Sequence, residues 1–187
     1  MSLKGTITTS DCIDFDICKK VGLKLLKDKK TRAFGLYILT SIYTGLRMVD
    51  TLNIKWSILN NDNYTIREQK TGKAKTITLN SVLVEILSQY KKEDDFGYIF
   101  KSQKGTVYTK QSINRLMKIH FKNETNVNNI SSHSLRKSFG NRIYVAHGKT
   151  DGILHILSEM FNHSSFSITR KYLGLKQEQY DNIYLSL

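Results

Sequence analysis

The stretch Arg32-Ala33-Phe34-Gly35-Leu36-Tyr37-Ile38-Leu39-Thr40-Ser41-Ile42-Tyr43-Thr44-Gly45-Leu46-Arg47-Met48-Val49-Asp50 decides how the chain folds. From Arg32 to Tyr43 it is apolar nearly all round, with Ala33, Phe34, Leu36, Ile38, Leu39 and Ile42 distributed over every face. A helix without a polar stripe has to be buried on all sides, so this is the predicted central helix. Gly45 is placed to end it in a left-handed cap. A short helix then runs from Arg47 to about Asn53.

Working outward, Thr9-Ser10-Asp11 reads as an N-cap for a first helix reaching about Lys29. Beyond Asn53 the period changes. Ile54–Leu59, Tyr64–Gln69 and Lys75–Leu79 are short and β-prone, separated by Asn60-Asn61-Asp62-Asn63 and Thr71-Gly72. These turn signals predict a three-stranded antiparallel sheet. Tyr98-Ile99-Phe100 reads as a brief extended piece. Helices are expected at 81–91, 109–122, 132–147, 150–161, 165–173 and 176–186. In the 109–122 helix Ile113, Leu116, Met117, His120 and Phe121 keep helical spacing, which makes His120 a packed histidine. The fold class is therefore mainly α with a small three-stranded antiparallel β-sheet.

The 187 residues suffice for one domain that buries roughly 70% of its unfolded surface. Twenty-nine Lys and Arg against 16 Asp and Glu leave a net charge of +13. Such an excess suits a polyanionic partner, nucleic acid before an anionic membrane surface. No run approaches the ~20 apolar residues of a membrane span, and Met1-Ser2-Leu3-Lys4-Gly5 lacks the apolar core of a secretory signal. Cys12 and Cys18, the two cysteines, make neither a disulfide framework nor a zinc site, and fit a reduced cytoplasmic setting. The charge clusters: Lys19–Arg32 carries seven basic residues against Asp28, and Lys101–Lys122 carries six with no acid.

Four segments combine residues suited to phosphate. Thr44-Gly45-Leu46-Arg47 puts an arginine after a helix-ending glycine. Glu68-Gln69-Lys70-Thr71-Gly72-Lys73 puts lysines at a hairpin tip, where they can reach into a groove. His133-Ser134-Leu135-Arg136 follows Ser131 and Ser132, either of which can cap a helix. His133 and Arg136 then share one face of its first turn, while Leu135, Phe139 and Ile143 hold the opposite side in the core. Asn162-His163 is followed by Tyr172, nine residues after the histidine.

In this order the segments resemble the catalytic domain of the tyrosine recombinases, the phage integrase, Xer and fimbrial-switch invertase family. The resemblance covers roughly residues 9–182. It implies that Arg47 and Arg136 clamp the scissile phosphate, and that His133 and His163 complete the phosphate-binding and proton-handling set. It further implies that Lys70 protonates the leaving 5′-hydroxyl, with Lys73 as the alternative, and that Tyr172 is the nucleophile, with Tyr180 and Tyr184 as alternatives. Asp50 falls on an acidic position that supports the site. The implied enzyme is a site-specific DNA recombinase, acting through a 3′-phosphotyrosine intermediate without metal or cofactor. A type IB topoisomerase-like relaxation activity, or a DNA-binding module with a silent site, are the competing readings. Double-stranded DNA is the expected partner, with self-assembly to a tetramer on paired sites and a cytoplasmic, nucleoid-associated location. Residues 1–187 read as a single catalytic domain, with the family's N-terminal DNA-clamping domain absent from this chain. Two departures stand out: Thr78 where the family commonly has Pro, and Asn162 in place of the Gly before the second histidine.

Overall fold

The computed structural model describes residues 10–60, 63–175 and 184–187. Eight α-helices, one short 3-10 helix and one hairpin make up its regular structure among these residues. Helix α2 (Arg32–Thr44) lies at the centre, with Tyr37, Ile38, Leu39 and Ile42 fully buried. It packs closely on α1 (Phe15–Leu26), because Gly35 presents no side chain to the α1 backbone; a Cβ there would stand 2.8 Å from the Gly22 carbonyl. Helix α1 starts later than the sequence predicts. Asp14 is its cap, accepting from the amides of Asp16 and Ile17, whereas Asp11 pairs with Asn129 across the chain.

Gly45 ends α2 at φ +61°, the left-handed cap that its position predicts. A Cβ at Gly45 would also lie 2.3 Å from the Phe139 ring. Gly45→Ala is therefore expected to lose at least ~1–2 kcal/mol, the cost of an L-residue in this conformation, with the clash in addition. Urea unfolding measures it, and a midpoint equal to wild type would contradict the argument. Arg47 then precedes the short helix α3 (Met48–Leu52).

The sheet has two strands, not three. Strands β1 (Asn63–Arg67) and β2 (Ala74–Thr78) pair antiparallel, Asn63 opposite Thr78 and Arg67 opposite Ala74. The segment predicted as a further strand makes only a bridge from Lys55 to Tyr98 and continues as a 3-10 turn, Trp56–Asn60. Ile54, Trp56 and Ile58 are buried while Lys55 and Ser57 are exposed, an alternation that imitates a strand. The backbone nonetheless bonds locally, Ile58 N–H to the Lys55 carbonyl.

Helices α4 (Ser81–Tyr90) and α5 (Lys110–Phe121) close the main core. Ile113, Met117 and Phe121 of α5 are fully buried, and His120 packs its ring against Phe34. Then α6 (Ser132–Ala146), α7 (Asp151–Met160) and α8 (Phe166–Leu173) follow. A smaller second core forms around Phe139, Leu154, Leu157, Phe161 and Leu173. Helix α6 belongs to both cores, since Leu135 packs in the first and Phe139 in the second. Residues 176–183 of the predicted helix at 176–186 lie outside the described residues. Among the described residues no helix is long and apolar enough to cross a membrane.

Candidate active site

The seam between the two cores holds the site. Ser131 caps α6: its Oγ accepts from the His133 amide at 3.1 Å, and Ser134 Oγ accepts from the Ser131 amide. One turn on, Arg136 is not on an open face as its spacing suggests but buried, 4% exposed. Because α6 threads between the cores, both sides of its first turns are covered, and Ser134, Lys137 and Ser138 are buried with it.

Arg136 donates Nη1 to the Gly45 carbonyl at 2.6 Å and Nη2 to the Phe161 carbonyl at 3.0 Å, with its guanidinium over the Phe161 ring. Arg47 Nη2 reaches the same Phe161 carbonyl at 2.9 Å. Two segments 89 residues apart (47 to 136) thus converge on one oxygen at the end of α7. Burial, and then the neighbouring Arg47, pull the Arg136 guanidinium down to about 10, still charged at neutral pH.

Phe161 is followed by Asn162, whose φ of +51° is the left-handed backbone that Asn tolerates in place of Gly. That turn sets His163, whose Nδ1 is 2.8 Å from Oγ1 of the fully buried Thr169. Burial first, then Arg136, Arg47 and Lys70, press the His163 pKa down to about 4, so the ring is neutral at pH 7. His133 stands on the exposed first turn of α6. Partial desolvation, reinforced by Arg136, Lys110, Lys137 and Arg47, also favours its neutral form.

Tyr172 on α8 completes the cluster. Its ring meets Phe161 and His163 edge-on, at centroid distances of 5.8 and 5.4 Å, and the Lys137 ammonium lies 5.1 Å above it. The hydroxyl donates to the His133 carbonyl across a long 3.4 Å. Burial pushes the phenol up to about 12, against the pull of Arg136 and Arg47. Tyr184, one alternative, is 76% exposed, and Tyr180 lies outside the described residues.

The hairpin supplies less, and more, than its sequence suggests. Lys70 is exposed in the β1–β2 turn, as is Lys73, and Lys70 touches the cluster only through its field on His163. Asp50 is 3% exposed and accepts from the Gln69 amide at 2.9 Å, so it tethers the hairpin base and does not pair with an arginine. Glu68 is a member that motif reading passes over. Its carboxylate is fully buried and takes Arg47 Nη1 at 2.9 Å, Thr71 Oγ1 at 2.8 Å and Asn162 Nδ2 at 2.6 Å. Burial opposes its ionisation, but Thr71, Asn162 and Arg47 outweigh it and hold the carboxyl below its ordinary range. Lys75 is a second such member, donating Nζ to the Met160 carbonyl at 2.6 Å. Its signal was available in the strand pattern, since it shares a face with buried Ile77 two residues on.

Comparison with known proteins gives the family and the fold. Residues 19–179 match the family model described as the phage integrase family. The chain is 31% identical over 159 residues to the probable integrase/recombinase YoeC of Bacillus subtilis, covering 82% of this chain and 83% of that protein. The fold is similar to the crystal structure of XerA recombinase, with a TM-score of 0.68 at 19% identity, over 97% of this chain and 66% of that one. It is equally similar, at 0.68 and 20% identity, to XerH site-specific recombinase bound to palindromic difH substrate, over 98% of this chain and 55% of that one. The chain belongs to the phage integrase family and is a site-specific recombinase of the tyrosine type.

Proposed function

We propose that Tyr172 attacks the scissile phosphate of duplex DNA and that the resulting 3′-phosphotyrosine carries the strand to a new 5′-hydroxyl. The observation that supports this most is the convergence of Arg47 and Arg136 on one carbonyl oxygen beside the Tyr172 and His163 rings. A carbonyl is a modest acceptor for two guanidinium groups. A phosphodiester offers two non-bridging oxygens and a full charge, which makes it the stronger partner.

The charge balance agrees. Arg47, Arg136 and Lys75 are three cations gathered around the two buried carboxylates Glu68 and Asp50. With Lys137 also buried, above the Tyr172 ring, the cations outnumber the carboxylates and leave positive charge to meet a phosphodiester. In the reaction the Tyr172 oxygen bonds to phosphorus as the bond to the 5′-oxygen breaks. The phenolic proton must leave to a base, and His133 and His163 are both held in the neutral form that can accept it. The 5′-oxygen takes a proton from Lys70, which is exposed in the hairpin turn. The phosphotyrosine conserves the bond, so rejoining needs no ATP. Two such reactions on each of two DNA sites make a tetramer the working assembly.

The test uses a pool of nicked duplexes with randomised arms, in which cleavage releases a short strand and traps the enzyme. A protein–DNA adduct stable on a denaturing gel is expected, and sequencing of the trapped DNA gives the site. Adduct formation on none of the pool would overturn the reading.

A further inference from the structure

Lys75 occupies a place that the motif does not assign. It lies in β2 opposite Ile66. Its strand neighbours Ala74 and Thr76 are exposed, whereas Lys75 is partly buried and Ile77 buried, so the side chain turns inward with Ile77. Its ammonium sits 2.6 Å from the carbonyl of Met160, the last residue of α7. The next carbonyl, that of Phe161, takes both Arg47 and Arg136. Three cations therefore occupy two successive carbonyls at the negative end of one helix. Lys75 pairs with neither nearby carboxylate: Glu68 is bound to Arg47, Thr71 and Asn162, and Asp50 to the Gln69 amide.

We propose that Lys75 is a second active-site lysine, which exchanges the Met160 carbonyl for a non-bridging oxygen of the scissile phosphate when DNA binds. The proposal rests on the recombinase reading above. It gives Lys75 a duty different from that of Lys70. Lys75 neutralises charge that builds on the phosphate, and Lys70 protonates the leaving oxygen.

Burial, helped by Arg136 and Arg47 and opposed by Glu68 and Asp50, brings the Lys75 ammonium down to about 8 in the DNA-free protein. The cation is present below that pH and lost above it. The value of kcat/KM reports groups in the free enzyme, so kcat/KM for adduct formation should fall as pH rises through about 8.

The experiment measures kcat/KM for adduct formation from pH 6.5 to 10, on duplexes that wild type has already been shown to cleave. Lys75→Met is expected to lower it ~10²-fold, as loss of one preorganised transition-state donor does. Lys75→Arg is expected to recover most of the rate, and its alkaline limb should move up from about 8 toward about 10, the value of the neighbouring buried Arg136 guanidinium. A second substrate carries sulfur at the bridging 5′ position. A thiolate leaves without a proton, so this substrate should rescue Lys70→Ala but not Lys75→Met. Wild-type rates in Lys75→Met, an alkaline limb that stays in place in Lys75→Arg, or rescue of Lys75→Met by sulfur would each overturn the proposal. Should Lys75→Met fold poorly by thermal melting, the limb in Lys75→Arg decides alone. Failure of wild type to form any adduct would instead overturn the recombinase reading.

Discussion

Tyr172→Phe is expected to form no covalent adduct with any DNA that the wild-type chain cleaves, a loss of at least ~10⁴-fold, as when a nucleophile is removed from a concerted set. The ring should stay where it is. Its contacts with Phe161, His163 and Lys137 all use the aromatic body and not the hydroxyl. The hydroxyl itself makes one long bond to the His133 carbonyl, so its removal should change stability by no more than ~1 kcal/mol. Affinity for uncleaved DNA should hold to within a few-fold, because the phosphate clamp is untouched. A denaturing gel reads the adduct and a gel shift reads binding. Tyr184→Phe serves as the control and should cleave like wild type, since that side chain is largely exposed. An adduct surviving in Tyr172→Phe would assign the nucleophile elsewhere.

The fold was readable where the period left no choice. Residues 32–44 form the central helix because nothing polar interrupts its circumference, and Gly45 stops it with the predicted positive φ. Reading failed where a distant partner decides. Asp11 and Asp14 are equally good caps in isolation, but Asp11 is engaged by Asn129, more than a hundred residues on. Residues 54–58 alternate buried and exposed like a strand, yet they sit beside a chain segment that offers only a bridge at Tyr98.

The site shows the same division. The spacing of Thr44-Gly45-Leu46-Arg47, His133-Ser134-Leu135-Arg136 and His163 to Tyr172 named the residues that meet at the seam between the cores. It did not show how they meet. Asp50 acts on the hairpin backbone and not on an arginine. Glu68 and Lys75 read as ordinary hairpin charges because lysines and glutamates decorate most surface hairpins. Only the docking of β1 and β2 against the end of α7 turns these two inward. Burial of Arg136 was hidden for a related reason: helical spacing gives a face, but the second core, assembled from residues 139–175, covers that face.

That burial makes Arg136→Met the most informative change to the clamp. The guanidinium has lost water and has no carboxylate partner among the described residues; it relies on two carbonyls and an aromatic face. Its depression from an ordinary 12.5 to about 10 corresponds to ~3 kcal/mol of environment acting against the cation. Its two charge-assisted bonds return ~3–6 kcal/mol together, at ~1.5–3 kcal/mol each. The two terms offset to within ~3 kcal/mol, so an apolar side chain of similar length should lose no more than ~3 kcal/mol of stability. Function should not be spared. The cleavage rate is expected to fall ~10³-fold, because both donors of the fork are lost where phosphate charge develops. The slope of log affinity against log salt should shrink by about one phosphate contact. Arg136→Lys separates charge from shape: it keeps the cation and the salt slope, but a point charge cannot span two acceptors, so the rate should stay well below wild type. Urea unfolding, single-turnover cleavage and a salt titration of binding measure the three effects. A variant that melts several degrees early while still cleaving would make Arg136 a brace for Gly45 and Phe161, not a ligand for phosphate.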